Sequence, residues 1–294
     1  MGRIVIETIG GLSAAGSLFV VATGLTLVFG AMRVINLAHG SFYMYGAFLV
    51  STFVGTTTGL RFFWAVALAA IIVSLLGMVV DFTVVRFTVV RFTVNRDPLT
   101  QLLATFGVFL ILADLGQHFW GTGFRAVPLA SVLTGKVTIS GATFPVFDLL
   151  ITGIAILVGV ALWLILRHSV FGWRVRAAVD DPELLQASGV DLRRLQMGVF
   201  ALGALLAGLG GAIVAPQTVV APGIDESIIV AAFLVTVIGG LGSVLGTALG
   251  ALIIAFAQTV GAVVAPTWAS TFTFLAAIIV LAVRPSGLLG VPER

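Results

Sequence analysis

Cysteine is absent from this 294-residue sequence, and charged side chains are scarce. Without cysteine the chain forms no disulfide and offers neither a thiolate nucleophile nor a cysteine-based metal site. Only 9% of the residues are charged and 60% are hydrophobic, whereas soluble domains carry about 25% charged residues. The composition therefore excludes an ordinary soluble protein and indicates one that lies in a membrane.

Lysine occurs once, at Lys136, and its surroundings exclude a nucleotide-binding P-loop. That motif has the form GxxxxGK[ST], in which backbone amides and the lysine hold the phosphates. Here Val137 follows the lysine, and Ala130 stands where the first glycine should be. We therefore expect that the chain is not an ATPase and that partner subunits use any ATP. No convergent set of acid, base or metal-binding residues indicates an intramembrane enzyme either.

The three histidines have no HExxH or comparable spacing, so we expect no metal site and no cofactor in this chain. The formal net charge of +3 comes from arginines that lie between the apolar stretches. This charge reflects membrane topology and does not indicate affinity for nucleic acid.

Long stretches without charge fill most of the chain, and several exceed the 18 residues that indicate a transmembrane helix. They are 8–32, 34–60, 62–80, 195–224 and 227–283, and the last two are long enough for more than one crossing each. The sequence predicts an all-α, polytopic transmembrane bundle of about eight or nine spans, folded as a single membrane domain over residues 1–294.

Two interruptions of the apolar pattern predict broken or re-entrant helices, near residues 30–40 and 239–246. A straight helix through the bilayer would place polar and helix-breaking residues there at high cost. Transporters with broken helices near their pathway show such interruptions in both halves. The pathway or gate candidates are Arg33, Asn36, His39, Gly40, Gly239, Gly240 and Gly242. The alternatives are binding of the turn's own carbonyls and close packing of small residues on one helix face, as expected of Gly242, Gly246 and Gly250 from their four-residue spacing.

Asp114 and His118 are further pathway candidates because ionisable residues in a span are rare and often functional. They are four residues apart, so they share a helix face and could form a hydrogen bond. The pair could be structural, could attract a substrate ammonium group, or could relay protons.

Positive charge is distributed unequally between the two sides of the predicted bundle. Placing 31–40, 81–97, 167–194 and 284–294 on one side puts 11 of the 15 Lys and Arg residues there. By the positive-inside rule this side is cytoplasmic, so the C-terminus lies inside, and nine spans put the N-terminus outside. The pentapeptide TVVRF at 83–87 is repeated at 88–92, which favours a local duplication in an inner loop or a contact with lipid or a partner.

The segment 167–194 holds nine of the 27 charged residues. Within it, acidic residues and a proline predict a helix start, and Gly189 predicts its end. A short helix offered to the cytoplasm is a docking element. Its coupling candidates are Asp180, Asp181, Pro182, Glu183, Leu184 and Gly189.

Six motifs in order resemble one family, the LivH-type permease subunits of branched-chain amino acid ABC importers. The most specific is GLTLVFGAMRVINLAHGSFYMYGA at 24–47. The others are LLATFG at 102–107, AAVDDPELLQASGVD at 177–191, FALGALLAGLGGAIVAP at 200–216, VIGGLGSVLGTALGA at 237–251 and RPSGLLG at 284–290. The pentapeptide repeat departs from the family pattern.

The resemblance implies a bacterial inner-membrane importer that works with a second homologous permease, two cytoplasmic ABC ATPases and an extracytoplasmic substrate-binding protein. It implies that 177–191 is the coupling segment that sits on an ATPase. Branched-chain amino acids or related small polar solutes, such as urea and amides, would be the cargo. The alternative is a stand-alone secondary transporter or channel, which would need an ion-coupling site of buried acidic groups.

Overall fold

The computed structural model describes residues 2–55, 59, 61–85, 98–139 and 142–290. The α-helices in these ranges are α1 (Gly2–Met32), α2 (His39–Val54), α3 (Arg61–Val80), α4 (Pro98–Trp120), α5 (Val146–His168), α6 (Val170–Asp180), α7 (Pro182–Ala187), α8 (Leu192–Val214), α9 (Ile224–Gly239), α10 (Val244–Val264) and α11 (Ala269–Val283). The predicted all-α bundle is confirmed. Arg86, Arg91, Arg96 and most of the pentapeptide repeat lie outside the described residues.

Among the described residues, seven helices are long and apolar enough to cross a membrane: α1, α3, α4, α5, α8, α10 and, with the preceding turn Pro266–Trp268, α11. Helices α2 and α9 have 16 residues each, about 24 Å at 1.5 Å per residue. This is shorter than the hydrocarbon core, which is about 30 Å thick. The chain is thus a multi-pass membrane protein with two short helices inside the bundle, and the total of eight or nine spans remains a prediction.

Helix α8 lies at the centre of the bundle, packed against α1, α2 and α3. Small residues allow this close packing, because a methyl group at Gly211 would overlap the carbonyl oxygen of Tyr43 in α2. Likewise, a methyl group at Gly203 would overlap Val28 of α1, and one at Gly208 would lie 2.7 Å from Val73 of α3. Small residues at helix crossings have this role in membrane bundles.

The predicted interruption near residues 30–40 is confirmed as a non-helical segment, 33–38. Arg33, at φ 54°, ends the long helix α1, and α2 then begins beside the middle of that helix. The ring of His39 contacts the carbonyl oxygen of Val21, eleven residues before the end of α1, which corresponds to about 16 Å along the helix. The chain therefore turns back into the bundle before α2 starts.

The predicted interruption near residues 239–246 is also present, since α9 ends at Gly239 and α10 begins at Val244. Gly240 and Gly242 adopt φ angles of 101° and 86°, in the region that favours glycine. The expectation that Gly242 shares a helix face with Gly246 and Gly250 is wrong, because Gly242 precedes α10. Gly246 and Gly250 do face α9, close to Gly239.

Two elements of the structure were not predicted. Strands β1 (Lys136–Ile139) and β2 (Ala142–Pro145) form an antiparallel hairpin in the connection between α4 and α5. Helix α6 occupies the first half of the charged segment 167–194, where the sequence had predicted only one short helix.

Candidate coupling surface and transport pathway

The charged segment folds into two consecutive helices, α6 and α7, whose ends are fixed by hydrogen bonds. The Ser169 side chain accepts a hydrogen bond from the Gly172 amide at 3.0 Å and caps α6. The Asp181 carboxylate accepts one from the Leu184 amide at 2.9 Å and caps α7, with Pro182 in its first turn. Gly189, at φ 88°, follows this helix. The predicted helix start and stop are both confirmed.

Helix α7 lies at the surface of the bundle, where Leu185 packs against the core and no residue of the helix is buried. Leu184 is 69% exposed although it is apolar, and Asp180, Asp181 and Glu183 are exposed beside it. The end of α6 and the side of α7 border an open groove of about 560 Å³, which is lined by Ala177, Asp180, Asp181, Leu184, Leu185, Ala187 and Ser188. Three of the six predicted coupling residues, Asp180, Asp181 and Leu184, thus line one accessible groove.

This surface connects directly to the central helix. The Asp191 carboxylate accepts hydrogen bonds from the amides of Arg193 and Arg194, at 3.0 and 3.3 Å, and caps α8. An ion pair of 3.2 Å joins Asp191 to Arg194. Three residues, 188–190, and this capped turn therefore separate α7 from the helix that packs against α1, α2 and α3.

The predicted candidates Asn36, His39 and Gly40 lie together at the buried start of α2. The His39 Nε2 donates to the Val21 carbonyl oxygen at 2.9 Å, and the Leu37 amide donates to the Thr105 hydroxyl of α4 at 3.4 Å. In the described part of the chain, Asn36 Oδ1 and His39 Nδ1 are buried without a hydrogen-bond partner. Arg33, predicted with them, is exposed at the end of α1.

Asp225 completes this buried centre, and its position was not predicted. The charge-free stretches 195–224 and 227–283 place Asp225 in an outer turn between two spans, but Asp225 is only 1% exposed in the first turn of α9. Its Oδ2 accepts a 3.5 Å hydrogen bond from Ser41 of α2, and its Oδ1 is buried without a partner in the described residues. A methyl group at Gly40 would overlap the Asp225 carbonyl oxygen. The acidic pair Asp225–Glu226 could have predicted this helix start, since acidic residues are favoured in the first turn of a helix.

Three threonines join α1, α9 and α10 further along the bundle, and they too were not predicted. The hydroxyl groups of Thr26 and Thr247 lie 2.7 Å apart, and Thr26 also donates to Thr236 at 3.2 Å. All three side chains are buried. Within the described ranges, no group of three or more His, Asp or Glu side chains could hold a metal ion.

The glycines at the end of α9 contact the C-terminal segment. The amides of Leu288 and Leu289 donate to the carbonyl oxygens of Ile238 and Gly239, at 2.8 and 3.0 Å. A methyl group at Gly240 would overlap the backbone at Gly290, and one at Gly30 of α1 would lie 2.9 Å from Gly242. The predicted candidates Gly239, Gly240 and Gly242 therefore form a backbone junction between α1, α9 and the tail.

Asp114 and His118 lie apart from both buried regions, on the exposed face of α4. Their predicted mutual hydrogen bond is absent from the described structure, in which His118 packs instead edge-on against Phe119. Their neighbours on this face are large and apolar: Leu110, Ile111 and Phe119 are 51%, 60% and 69% exposed.

Comparison with known proteins identifies the family. Residues 8–283 match the family described as the branched-chain amino acid transport system / permease component. The high-affinity branched-chain amino acid transport system permease protein BraD of Pseudomonas aeruginosa is 27% identical, over 98% of this chain and 96% of its own. The corresponding permease protein LivH of Escherichia coli is 27% identical, over 96% and 94%.

More distant similarity extends to other import permeases. The ribose import permease protein RbsC of Haemophilus influenzae is 29% identical over 51% of this chain and 46% of its own. No solved structure matches the chain. The chain belongs to the branched-chain amino acid permease family and is a permease subunit of an ABC importer, as its motifs had indicated.

Proposed function

We propose that this chain forms part of the translocation pathway of an ATP-driven importer of branched-chain amino acids or related small polar solutes. The observation that carries the coupling part of this proposal is the surface of α6 and α7. It is a pair of capped helices with an apolar residue, Leu184, exposed among carboxylates. A chain without a P-loop requires ATPase subunits, and this surface is where one would bind.

Coupling would use Asp180, Asp181, Pro182, Glu183, Leu184 and Gly189. Closure of the ATPase subunits would displace α7, and the Asp191 cap would transmit the displacement to α8. Because α8 packs against α1, α2 and α3 at glycine positions, its movement would shift the buried start of α2. The interruptions at 33–38 and 240–243 are the points at which the pathway helices would bend.

The exposed face of α4 is the best candidate for the pathway itself. A carboxylate that faces lipid is costly, up to about 2.5–3.5 kcal/mol in the bilayer centre on insertion scales, and Asp114 lies inside a span, six residues from the end of α4. Asp114 therefore requires water, protein or substrate beside it. We place the second homologous permease opposite this face, with Asp114 attracting the ammonium group of an amino acid and His118 beside it.

The complete importer would contain two permeases, two cytoplasmic ATPases that use the ATP, and an extracytoplasmic substrate-binding protein. It would lie in the bacterial inner membrane. The excess of arginine on the side of 167–194 favours a cytoplasmic C-terminus and an external N-terminus. Substrate choice would rest mainly with the binding protein.

Reconstitution tests this proposal. The chain is inserted into vesicles with its partner permease and ATPases, and uptake of labelled leucine is measured with the binding protein present. Uptake should require both ATP and the ATPase subunits. Uptake that continues after either is removed would overturn the importer assignment.

A specific observation, the buried carboxylate of Asp225, favours a second candidate, a stand-alone secondary transporter. Such a transporter needs a buried acidic group to couple solute to an ion. In that case uptake would follow an imposed ion gradient without ATP, and Asp225→Asn would abolish the dependence on the gradient. Uptake that is driven by ATP and indifferent to ion gradients would eliminate this candidate.

A further inference from the structure

One face of α6 is apolar and uncovered although it lies beside a transmembrane helix. Val170 and Trp173 are each 67% exposed, while Gly172 and Val175 on the opposite face are buried against the bundle. Trp173 therefore presents a large apolar ring at the surface instead of burying it in the core.

The backbone fixes α6 at the level where the span α5 ends. The Arg176 guanidinium donates to the carbonyl oxygen of Leu166, one of the free carbonyls at the end of α5. A methyl group at Gly172 would overlap the carbonyl oxygens of Ile165 and Leu166. Because α5 is long and apolar enough to cross a membrane, its end marks the boundary between hydrocarbon and water.

Guanidinium groups surround this apolar face. Arg176 lies 5.6 Å from the centre of the Trp173 ring, and Arg167 lies 5.4 Å from that of Trp163. Arg174 is exposed on the same helix. In the part of the chain that the structure describes, no carboxylate pairs with any of these three arginines. Guanidinium groups that have no carboxylate partner are suited to phosphate, which they bind through two parallel hydrogen bonds.

We propose that this lipid-binding surface, formed by Trp163, Arg167, Val170, Trp173, Arg174 and Arg176, binds the phosphate headgroup of an anionic phospholipid. The tryptophan and valine enter the acyl boundary, and the arginines contact the headgroup, as in interfacial amphipathic helices. A lipid fits better than a protein here because aromatic side chains, cations and a span end occur at one level. The groove along α7, by contrast, is lined by carboxylates.

The surface would anchor the coupling segment to the membrane. Since α6 is followed directly by α7, a lipid that holds α6 in place gives α7 a fixed support against which an ATPase can push. Anionic lipid would then raise the efficiency of coupling as well as bind.

Fluorescence quenching by brominated lipids tests the proposal on the full chain assembled with its partner subunits. The complex is placed in phosphatidylcholine nanodiscs that contain brominated phosphatidylglycerol or, for comparison, brominated phosphatidylcholine. The difference between wild type and Trp173→Phe isolates the emission of Trp173 from that of the other tryptophans. Brominated phosphatidylglycerol should quench Trp173 more strongly than brominated phosphatidylcholine.

The charge requirement is tested with Arg167→Gln/Arg174→Gln, which keeps the Arg176 bond to α5. Each arginine near an anionic surface changes affinity about fivefold, so this variant should lower the preference for phosphatidylglycerol about thirtyfold. Arg193→Gln/Arg194→Gln removes the same charge from the same segment and should leave the preference unchanged.

Three results would overturn the proposal. Equal quenching of Trp173 by the two brominated lipids would show that the face does not select anionic headgroups. Protection of Trp173 from both lipids when the ATPase subunits are bound would show that protein covers α6. A preference that survives in Arg167→Gln/Arg174→Gln would likewise remove the arginines from the site.

Discussion

Replacing Asp181 with alanine should weaken coupling to ATP without unfolding the protein. The Asp181 carboxylate caps α7 through its 2.9 Å bond to the Leu184 amide, and loss of such a cap costs about 1 kcal/mol. Helix α7 has six residues and none is buried, and of its side chains Leu185 packs against the core, so tertiary packing compensates little. An isolated helix of this length is marginal in water. The equilibrium constant for forming α7 should therefore fall about fivefold.

The assay is ATP-dependent uptake by vesicles that contain the complete importer, measured together with ATP hydrolysis. Asp181→Ala should reduce the solute imported per ATP, by up to about fivefold, because a helix that is unfolded for more of the time transmits the displacement to α8 less often. The melting temperature of the purified membrane domain should stay within error of wild type, since Asp181 is exposed and lies outside the core.

Two matched variants separate the cap from the charge. Asp181→Asn removes the charge but keeps a good capping side chain, so it should transport nearly as well as wild type. Gln186→Ala changes an exposed side chain of the same helix that caps neither end of α7 and should also have a small effect. Normal coupling in Asp181→Ala would refute the reasoning, and an equal loss in Asp181→Asn would show that charge, and not helix capping, matters.

Three further predictions concern the bundle. Gly211→Ala should lower the melting temperature in detergent by several degrees, because its methyl group overlaps the Tyr43 carbonyl oxygen. Gly153→Ala, with open space around it, should not. Equal melting temperatures of the two variants would contradict the packing account. Asp114→Asn should raise the KM of uptake at least severalfold with unchanged melting, and an unchanged KM would remove this residue from the pathway. Truncation after Val283 should destabilise the C-terminal end of α9, because the carbonyl oxygens of Ile238 and Gly239 lose the amides that donate to them. The expected result is faster amide exchange at 236–240. Unaltered exchange would show that the tail is dispensable there.

Local chemistry explains what the sequence could predict. The ends of α7 depend on Asp181, Pro182 and Gly189, which act on their immediate neighbours. The interruption after α1 and the one at Gly239–Gly242 follow in the same way from polar residues and glycines inside apolar stretches. Such features need no knowledge of the fold, and for this reason their positions agree with the structure within a few residues.

Tertiary contacts explain what the sequence could not predict. The burial of Asp225 depends on Ser41, which is 184 residues away, and the contact of Thr26 with Thr247 spans 221 residues. Helix α6 was missed because its arginines were attributed to a solvated loop. The hydrogen bond that Asp114 and His118 could form is absent for a related reason. Four-residue spacing permits a contact between the two side chains but does not require it.

Asp114 and Asp225 differ in what surrounds them, and this difference favours the importer over a secondary transporter. The Asp225 carboxylate lies beside the first turns of two helices. Ser41 in the first turn of α2 donates a hydrogen bond to it, and Asp225 itself belongs to the first turn of α9. Each helix N-terminus carries about half a positive charge, so the two together neutralise one carboxylate without an added ion.

This arrangement accounts for Asp225 as a junction between the two short helices, whereas Asp114 has no such compensation on its open face. Asp225→Asn should therefore lower the melting temperature and reduce uptake in proportion to the amount of folded protein. Asp114→Asn should act on uptake alone. The opposite result would be an Asp225→Asn protein that is as stable as wild type but whose uptake no longer depends on an ion gradient. It would make Asp225 an ion-coupling residue, because a purely structural role predicts that uptake and stability fall together.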